Sequence, residues 1–271
     1  MSSKIEKAFY DIGRIDILAL ADTPLHRLDP RAKLITTLVF IVCVVSFDKY
    51  EVSRLFPYFL YPALLIGLGD LPFGFLARKL ILVSPFVLFI GIFNPLFDQT
   101  TLFTVGTLSI SGGWVSFFSL ILRFVLTIGS ALILIASTGF APLCMGLEKL
   151  GAPRVFAIQL LLLYRYLFVL IAEAARIIRA HSLRSFSGKK ISYRVFLQIS
   201  GNLLLRTIDR AQRIHLAMLS RAFTGEIRIA RTYHVGYKEW LFVIGFSALF
   251  IAMRTTDLAG LLGHIALENL H

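Results

Sequence analysis

Residues 114–138 read WVSFFSLILRFVLTIGSALILIAST, an apolar stretch with one charge, Arg123, and no proline. At 1.5 Å per residue a helix of that length spans about 37 Å, more than the roughly 30 Å hydrocarbon core of a bilayer. Only one of these 25 residues is charged, so the stretch predicts a membrane span.

Four further runs have similar character: 34–47, 55–68 (with Pro57 and Pro62 inside it), 80–97 and 240–253. A last apolar stretch, 258–270, carries His264 and Glu268 and reads as an extension or an interfacial segment. The composition agrees with a polytopic chain. Of 271 residues, 57% are hydrophobic and only 16% charged, and the mean hydropathy is +0.77. Soluble domains carry about 25% charged residues. The first thirty residues mix Lys4, Glu6, Lys7, Asp11, Arg14 and Asp16, unlike the clean apolar run of a secretory signal, so entry through the protein's own spans is expected. Cys43 and Cys144 form no CxxC pair, and neither a disulfide framework nor a zinc site is indicated.

The net charge is +12, and its placement sets the expected orientation. Residues 1–33 hold six Lys or Arg, the loop 69–79 holds two, and 138–238 holds sixteen. With the N-terminus in the cytoplasm, five spans put all 24 of these inside, as the positive-inside bias requires. The expected organisation is a cytoplasmic segment 1–33, spans one to four in 34–138, a cytoplasmic region 139–238, and a last span with its tail in 239–271.

The region 138–238 has four acidic residues against its sixteen basic ones. Pro142 and Pro153 punctuate its start. A helix without Pro or Gly is expected over 154–186 and a second over 191–223, interrupted only by Gly201. A sixth span within the first is disfavoured by Arg165, Glu173, Arg176 and Arg179. On the second, Ile191, Val195, Ile199, Leu203, Ala211, Ile214 and Met218 recur at helical spacing, and Arg206, Arg210 and Arg213 make a basic stripe on one face. The two helices are expected to pack on each other at the inner membrane surface. Such a surface can touch anionic lipid or dock a partner protein. Nucleic acid is disfavoured, because no recognised binding module is present.

The two helices end alike. The first closes Leu183-Arg184-Ser185-Phe186-Ser187-Gly188 and the second Ser220-Arg221-Ala222-Phe223-Thr224-Gly225, both Arg-x-Phe-Ser/Thr-Gly. Helix-end preferences account for an Arg near a C-terminus and for a Gly beyond it. They do not account for the repeated Phe and hydroxyl residue. An Arg that can fork onto acceptors, beside a ring that can fill a pocket, makes a compact anchor. Two anchors suit two related receivers.

The block Thr23-Pro24-Leu25-His26-Arg27-Leu28-Asp29-Pro30-Arg31-Ala32-Lys33-Leu34, the string Leu122-Arg123-Phe124, the string Tyr164-Arg165-Tyr166 and the paired helix ends resemble the transmembrane T component of energy-coupling factor ABC transporters, within it the cobalt-type family. The family's signature is of the Ala-Arg-Gly type. Here Leu183 and Ser220 precede the arginines, and Ser185 and Ala222 follow them. The resemblance implies an all-α membrane protein with about five spans and two long cytoplasmic coupling helices, in the plasma membrane of a prokaryote. It implies a non-catalytic subunit, partnered by two ATP-binding cassette ATPases and a membrane substrate-binding subunit. Arg184, Ser185, Phe186, Arg221, Ala222 and Phe223 would seat on the ATPases, where ATP and Mg²⁺ would bind. Cobalt is the implied cargo, with nickel or a vitamin as the alternative.

The residues are compatible with that division. No G-x-x-x-x-G-K-[ST] phosphate loop is present. The six histidines show no metal-site spacing, so no cofactor or metal is expected on this chain. Of the two other classes, a stand-alone secondary transporter would more often place carboxylates inside its spans, and a membrane enzyme would need a clustered acid, base or nucleophile set. Arg123 lies inside the fourth span, and reads either as a functional charge or as one that snorkels to the outer interface. Asp29 and Pro30 read as the cap and first residue of a helix.

Overall fold

The computed structural model describes residues 16, 18–97, 101–105, 108–184, 192–223, 225 and 236–255. These fold almost entirely as helices: α1 Pro24–Arg27, α2 Pro30–Val45, a 3₁₀ helix Ser53–Phe59, α3 Leu60–Gly69, α4 Phe73–Gly91, α5 Phe93–Phe97, α6 Gly112–Thr138, α7 Phe140–Lys149, α8 Arg154–Arg184, α9 Tyr193–Ser220 and α10 Tyr237–Thr255. One antiparallel hairpin, β1 Thr101–Val105 with β2 Leu108–Ser111, lies in the stretch expected as loop, with Val105 opposite Leu108.

The chain divides into two compact units. One comprises residues 18–139 and 233–271, the other residues 1–17 and 140–232. The first holds four of the expected spans on α2, on α4–α5, on α6 and on α10. The remaining one, 55–68, is split. Pro57 removes a backbone donor and the chain tightens to a 3₁₀ helix, and the α-helix resumes at Leu60 with Pro62 in its first turn, where the missing donor costs nothing. The span expected from Leu80 starts two turns earlier, at Phe73.

Three helical segments among the described residues are long and apolar enough to cross a membrane: 73–95, 112–138 and 154–184. The first two are expected spans. The third is the helix expected to be cytoplasmic.

In the first unit α2 packs against α6 and α10. Phe40 is fully buried at its centre, its ring 4.6 Å from Tyr61 and 5.2 Å from Phe250. Three hydroxyls around it are paired: Tyr58 donates to the Phe250 carbonyl at 2.9 Å, and Thr37 and Tyr61 bond each other at 3.1 Å. Packing and hydrogen bonds of this kind, more than apolar transfer, hold helices together in lipid. Where α4 meets α6, a Cβ on Gly91 would lie 2.9 Å from the Phe117 ring, so only glycine permits the approach. One face of α4 is uncovered, with Ile81, Leu82, Phe86 and Phe89 each about two-thirds exposed or more. That is the surface of a helix facing acyl chains.

Polar side chains pin the helix ends. Asp29 caps α2 by accepting from the Arg31 amide at 2.8 Å, with Pro30 as first helical residue, as the sequence predicts. Lys33, 4% exposed, donates from Nζ to the Ser137 carbonyl at 2.9 Å and so caps the C-terminus of α6. At the other end of α2, Arg254 donates to the Ser46 carbonyl at 2.9 Å, its guanidinium 4.2 Å from the Phe47 ring. Arg123 donates to the Asp48 carbonyl. Its partner is the turn that follows α2.

Candidate functional site

The second unit is built on α7, α8 and α9. Gly151, at φ +113°, turns the chain between α7 and α8. Arg154, the first residue of α8, reaches back to Glu148 at 3.0 Å. Phe140 stacks on Tyr164 with ring centroids 4.2 Å apart. The Tyr164 hydroxyl donates to Asp16 at 2.6 Å, tying the N-terminal segment to α8. The Tyr164-Arg165-Tyr166 string thus has one assigned role, a strut. Cys144 is 1% exposed on α7, and burial pushes its thiol up to about 11.

With no Gly or Pro to break it, α8 runs 31 residues, about 46 Å. α9 runs 28 residues straight through Gly201. The expected apolar face of α9 meets α8: Ala211, Ile214 and Met218 line one cleft with Leu162, Leu163 and Leu170. The contact runs in opposite senses along the two chains. Glu173 meets Arg206, whereas Leu162, eleven residues earlier on α8, lines a cleft that reaches Met218, twelve residues later on α9, so α9 is antiparallel to α8. Much apolar surface stays uncovered, including Phe156 and Leu163 on α8 and Leu204, Leu205 and Leu216 on α9.

The stripe Arg206, Arg210 and Arg213 borders this contact. Its first member is engaged: Arg206 donates to Glu173 at 2.8 Å, and Arg176 holds the other oxygen of the same carboxylate. Glu173 is the residue that sequence reading missed. It was visible there only as an acid among bases, and its partner lies 33 positions away on another helix.

The two arginine tips lie at opposite ends of the pair. Arg184 is the last residue of α8 and is exposed. It stands eleven residues beyond Glu173, about 16 Å. Arg221 follows Arg206 by fifteen residues, about 22 Å in the opposite direction. Ser185 and Phe186 lie outside the described residues, as do Ser187, Gly188 and Thr224.

The end of α9 is fully defined. Arg221 (φ −98°, ψ 16°) is its C-cap, and Ala222 takes a left-handed conformation at φ +54°. Ala222 donates to the Leu219 carbonyl at 3.0 Å, and Phe223 to the Met218 carbonyl at 3.1 Å. This is a Schellman ending with Ala222 at the position glycine normally takes. The helix-end account of the repeated Gly needs correcting here. Gly225 also has positive φ, at +84°, but it lies three residues beyond the residue that closes the helix. Arg221 and Ala222 are exposed and Phe223 is half-buried, so the guanidinium projects from a rigid corner. Among the described residues no group of three His, Cys, Asp or Glu side chains is placed to hold a metal ion.

A family model described as CbiQ, cobalt transport protein, matches residues 21–233, which includes both arginine tips. The energy-coupling factor transporter transmembrane protein EcfT of Listeria innocua is 28% identical over 217 residues, 74% of this chain and 81% of that protein. That of Leuconostoc gelidum is 26% identical over 251 residues, 85% and 93% of the two chains. The cobalt transport protein CbiQ of Rhodobacter capsulatus is 32% identical over 100 residues, 36% and 41% of the two chains.

Proposed function

The chain belongs to the cobalt transport protein family, and on that premise we propose that it is the membrane coupling subunit of an energy-coupling factor importer. In this reading it hydrolyses no ATP. Two cytoplasmic ATPases bind ATP and Mg²⁺ and close on one another. Arg184 with Ser185 and Phe186 seats on one ATPase, and Arg221 with Ala222 and Phe223 on the other. Their motion travels along α8 and α9 to a membrane substrate-binding subunit, which carries the cargo. Cobalt is the preferred cargo, from the family's description. Residues 1–33 and 139–238 lie on the cytoplasmic side of a prokaryotic plasma membrane, and the remaining helices hold the bilayer.

The observation that carries this reading is the placement of the two tips. A single small partner cannot reach both ends of an antiparallel pair whose tips point apart by up to about 38 Å along the helices. Two receivers can. The stiffness of α8 and α9 supports the mechanical part, since neither has a proline and both run unbroken. The test is reconstitution in vesicles. Cobalt uptake is expected only when this chain, the ATPases and the substrate-binding subunit are all present, and R184Q with R221Q is expected to abolish it. Uptake by the chain alone would contradict the reading, and nickel or vitamin uptake without cobalt uptake would correct the cargo.

A further inference from the structure

The contact between α8 and α9 leaves a cleft that the coupling role does not use. Two adjoining cavities, of about 320 and 300 Å³, share Val169, Leu170, Thr207 and Arg210 in their walls and together line this cleft. Its two halves differ in chemistry. One is bordered by Arg206, Arg210 and Arg213 against a single carboxylate, Glu173. The other is walled by Leu162, Leu163, Tyr166, Ile214 and Met218.

The charge in the polar half is not balanced. Glu173 is already shared between Arg176 and Arg206. Among the described residues Arg210 meets no carboxylate. Arg213 donates only to the Asp209 carbonyl of its own helix, at 3.3 Å. Two guanidiniums therefore face an open trough with hydrogen-bond donors to spare, and each can fork onto an anionic oxygen. Beside them lies the apolar half of the cleft, where Leu163 is 62% exposed. A ligand that fits must carry a negative headgroup joined to a hydrocarbon tail.

We propose that the α8–α9 cleft is a binding site for one anionic phospholipid. The phosphate is held by Arg210 and Arg213, and an acyl chain lies along Leu162, Leu163 and Ile214. A soluble phosphate would satisfy the arginines and leave the apolar half wetted. An extended acidic protein segment would need pairing for its own backbone polar groups, which the apolar half does not offer. The assignment is independent of the cargo and of what the arginine tips grip.

The test is native mass spectrometry of the full chain in detergent. It is titrated with phosphatidylglycerol and, separately, with phosphatidylcholine of the same acyl chains. The wild type is expected to prefer phosphatidylglycerol. R210Q/R213Q is expected to bind it roughly tenfold to thirtyfold more weakly, with phosphatidylcholine unchanged. R194Q removes a charge from the same helix outside the cleft and is expected to change neither. I214N, in the apolar half, is expected to weaken both lipids. R210K/R213K keeps both charges and is expected to keep the preference, which separates charge from folding. Unaltered phosphatidylglycerol binding by R210Q/R213Q would overturn the proposal. So would displacement of the lipid by inorganic phosphate, or a photo-crosslinker at Thr207 that captures a protein subunit in the complete assembly.

Discussion

Arg206 on α9 donates to the Glu173 carboxylate on α8 at 2.8 Å, and this bond marks where the two long helices are fastened to each other. Glu173 also holds Arg176, so one acid serves both helices. The Arg206 side chain is 64% exposed, and the bond is worth little as a surface ion pair. Its value is geometric. E173Q is expected to leave global stability almost unchanged while raising hydrogen exchange through the middle of α9. A double-mutant cycle with R206Q is expected to return a small coupling. Independent, additive effects would show that the helices are held elsewhere.

Ala222 sits where a glycine would be at ease. A left-handed alanine costs about 1–2 kcal/mol, which the two hydrogen bonds of the helix ending must offset. A222G is therefore expected to stabilise the end of α9 by about 1 kcal/mol, read as slower exchange of the Phe223 amide. A222V is expected to unravel the last turn. If A222G speeds exchange, the left-handed assignment is wrong.

Lys33 is a buried amine whose partner is the end of another helix. K33M would leave the Ser137 carbonyl without this donor, at a cost of about 1–3 kcal/mol. The expected result is a lower melting temperature in detergent, with the complex still able to assemble at low temperature. An unchanged melting temperature would mean that a different group caps α6.

Cys144 gives a pH dependence. Its thiol ionises near 9.0 when unperturbed and near 11 in the fold. Above about pH 9 the unfolded chain loses a proton that the folded chain keeps. The stability from the neutral buried thiol is thus complete below pH 9 and lost as pH rises toward 11. C144A is expected to flatten that part of the stability profile. The wild-type thiol is expected to resist maleimide at neutral pH until the chain unfolds.

Gly91 tests the packing of α4 on α6. G91A places a methyl 2.9 Å from the Phe117 ring, so the ring or its helix must shift, a cost of about 1–3 kcal/mol. F117L is expected to relieve it in the double variant. If G91A alone is neutral, the two helices are further apart than described.

Much of this molecule was legible from local signals. The 25-residue run at 114–138 became α6, and the Pro- and Gly-free stretch from Arg154 became α8. Asp29 and Pro30 began α2, since a cap and its helix are neighbours in sequence. What escaped depends on distant partners. Nothing near Arg123 points to the Asp48 carbonyl, 75 residues away. Nothing near Glu173 points to Arg206. The 3₁₀ helix around Pro57 was hidden because an apolar tally does not register a missing backbone donor. At the end of α9 glycine preference drew attention to Gly225, whereas hydrogen bonding to Met218 and Leu219 places the turn at Ala222. Composition also does not say whether α8 lies along the membrane or through it, because its first half is as apolar as a span and its second half carries Glu173, Arg176, Arg179 and Arg184.

The most direct test of the coupling account is cross-linking beside the arginine tips in the complete transporter. Photoreactive probes on L183C and S220C, next to Arg184 and Arg221, leave both guanidiniums in place. Each probe is expected to capture an ATPase subunit, and the two together are expected to capture two. Probes that capture only lipid, or that stay open to a water-soluble quencher throughout the ATP cycle, would contradict it.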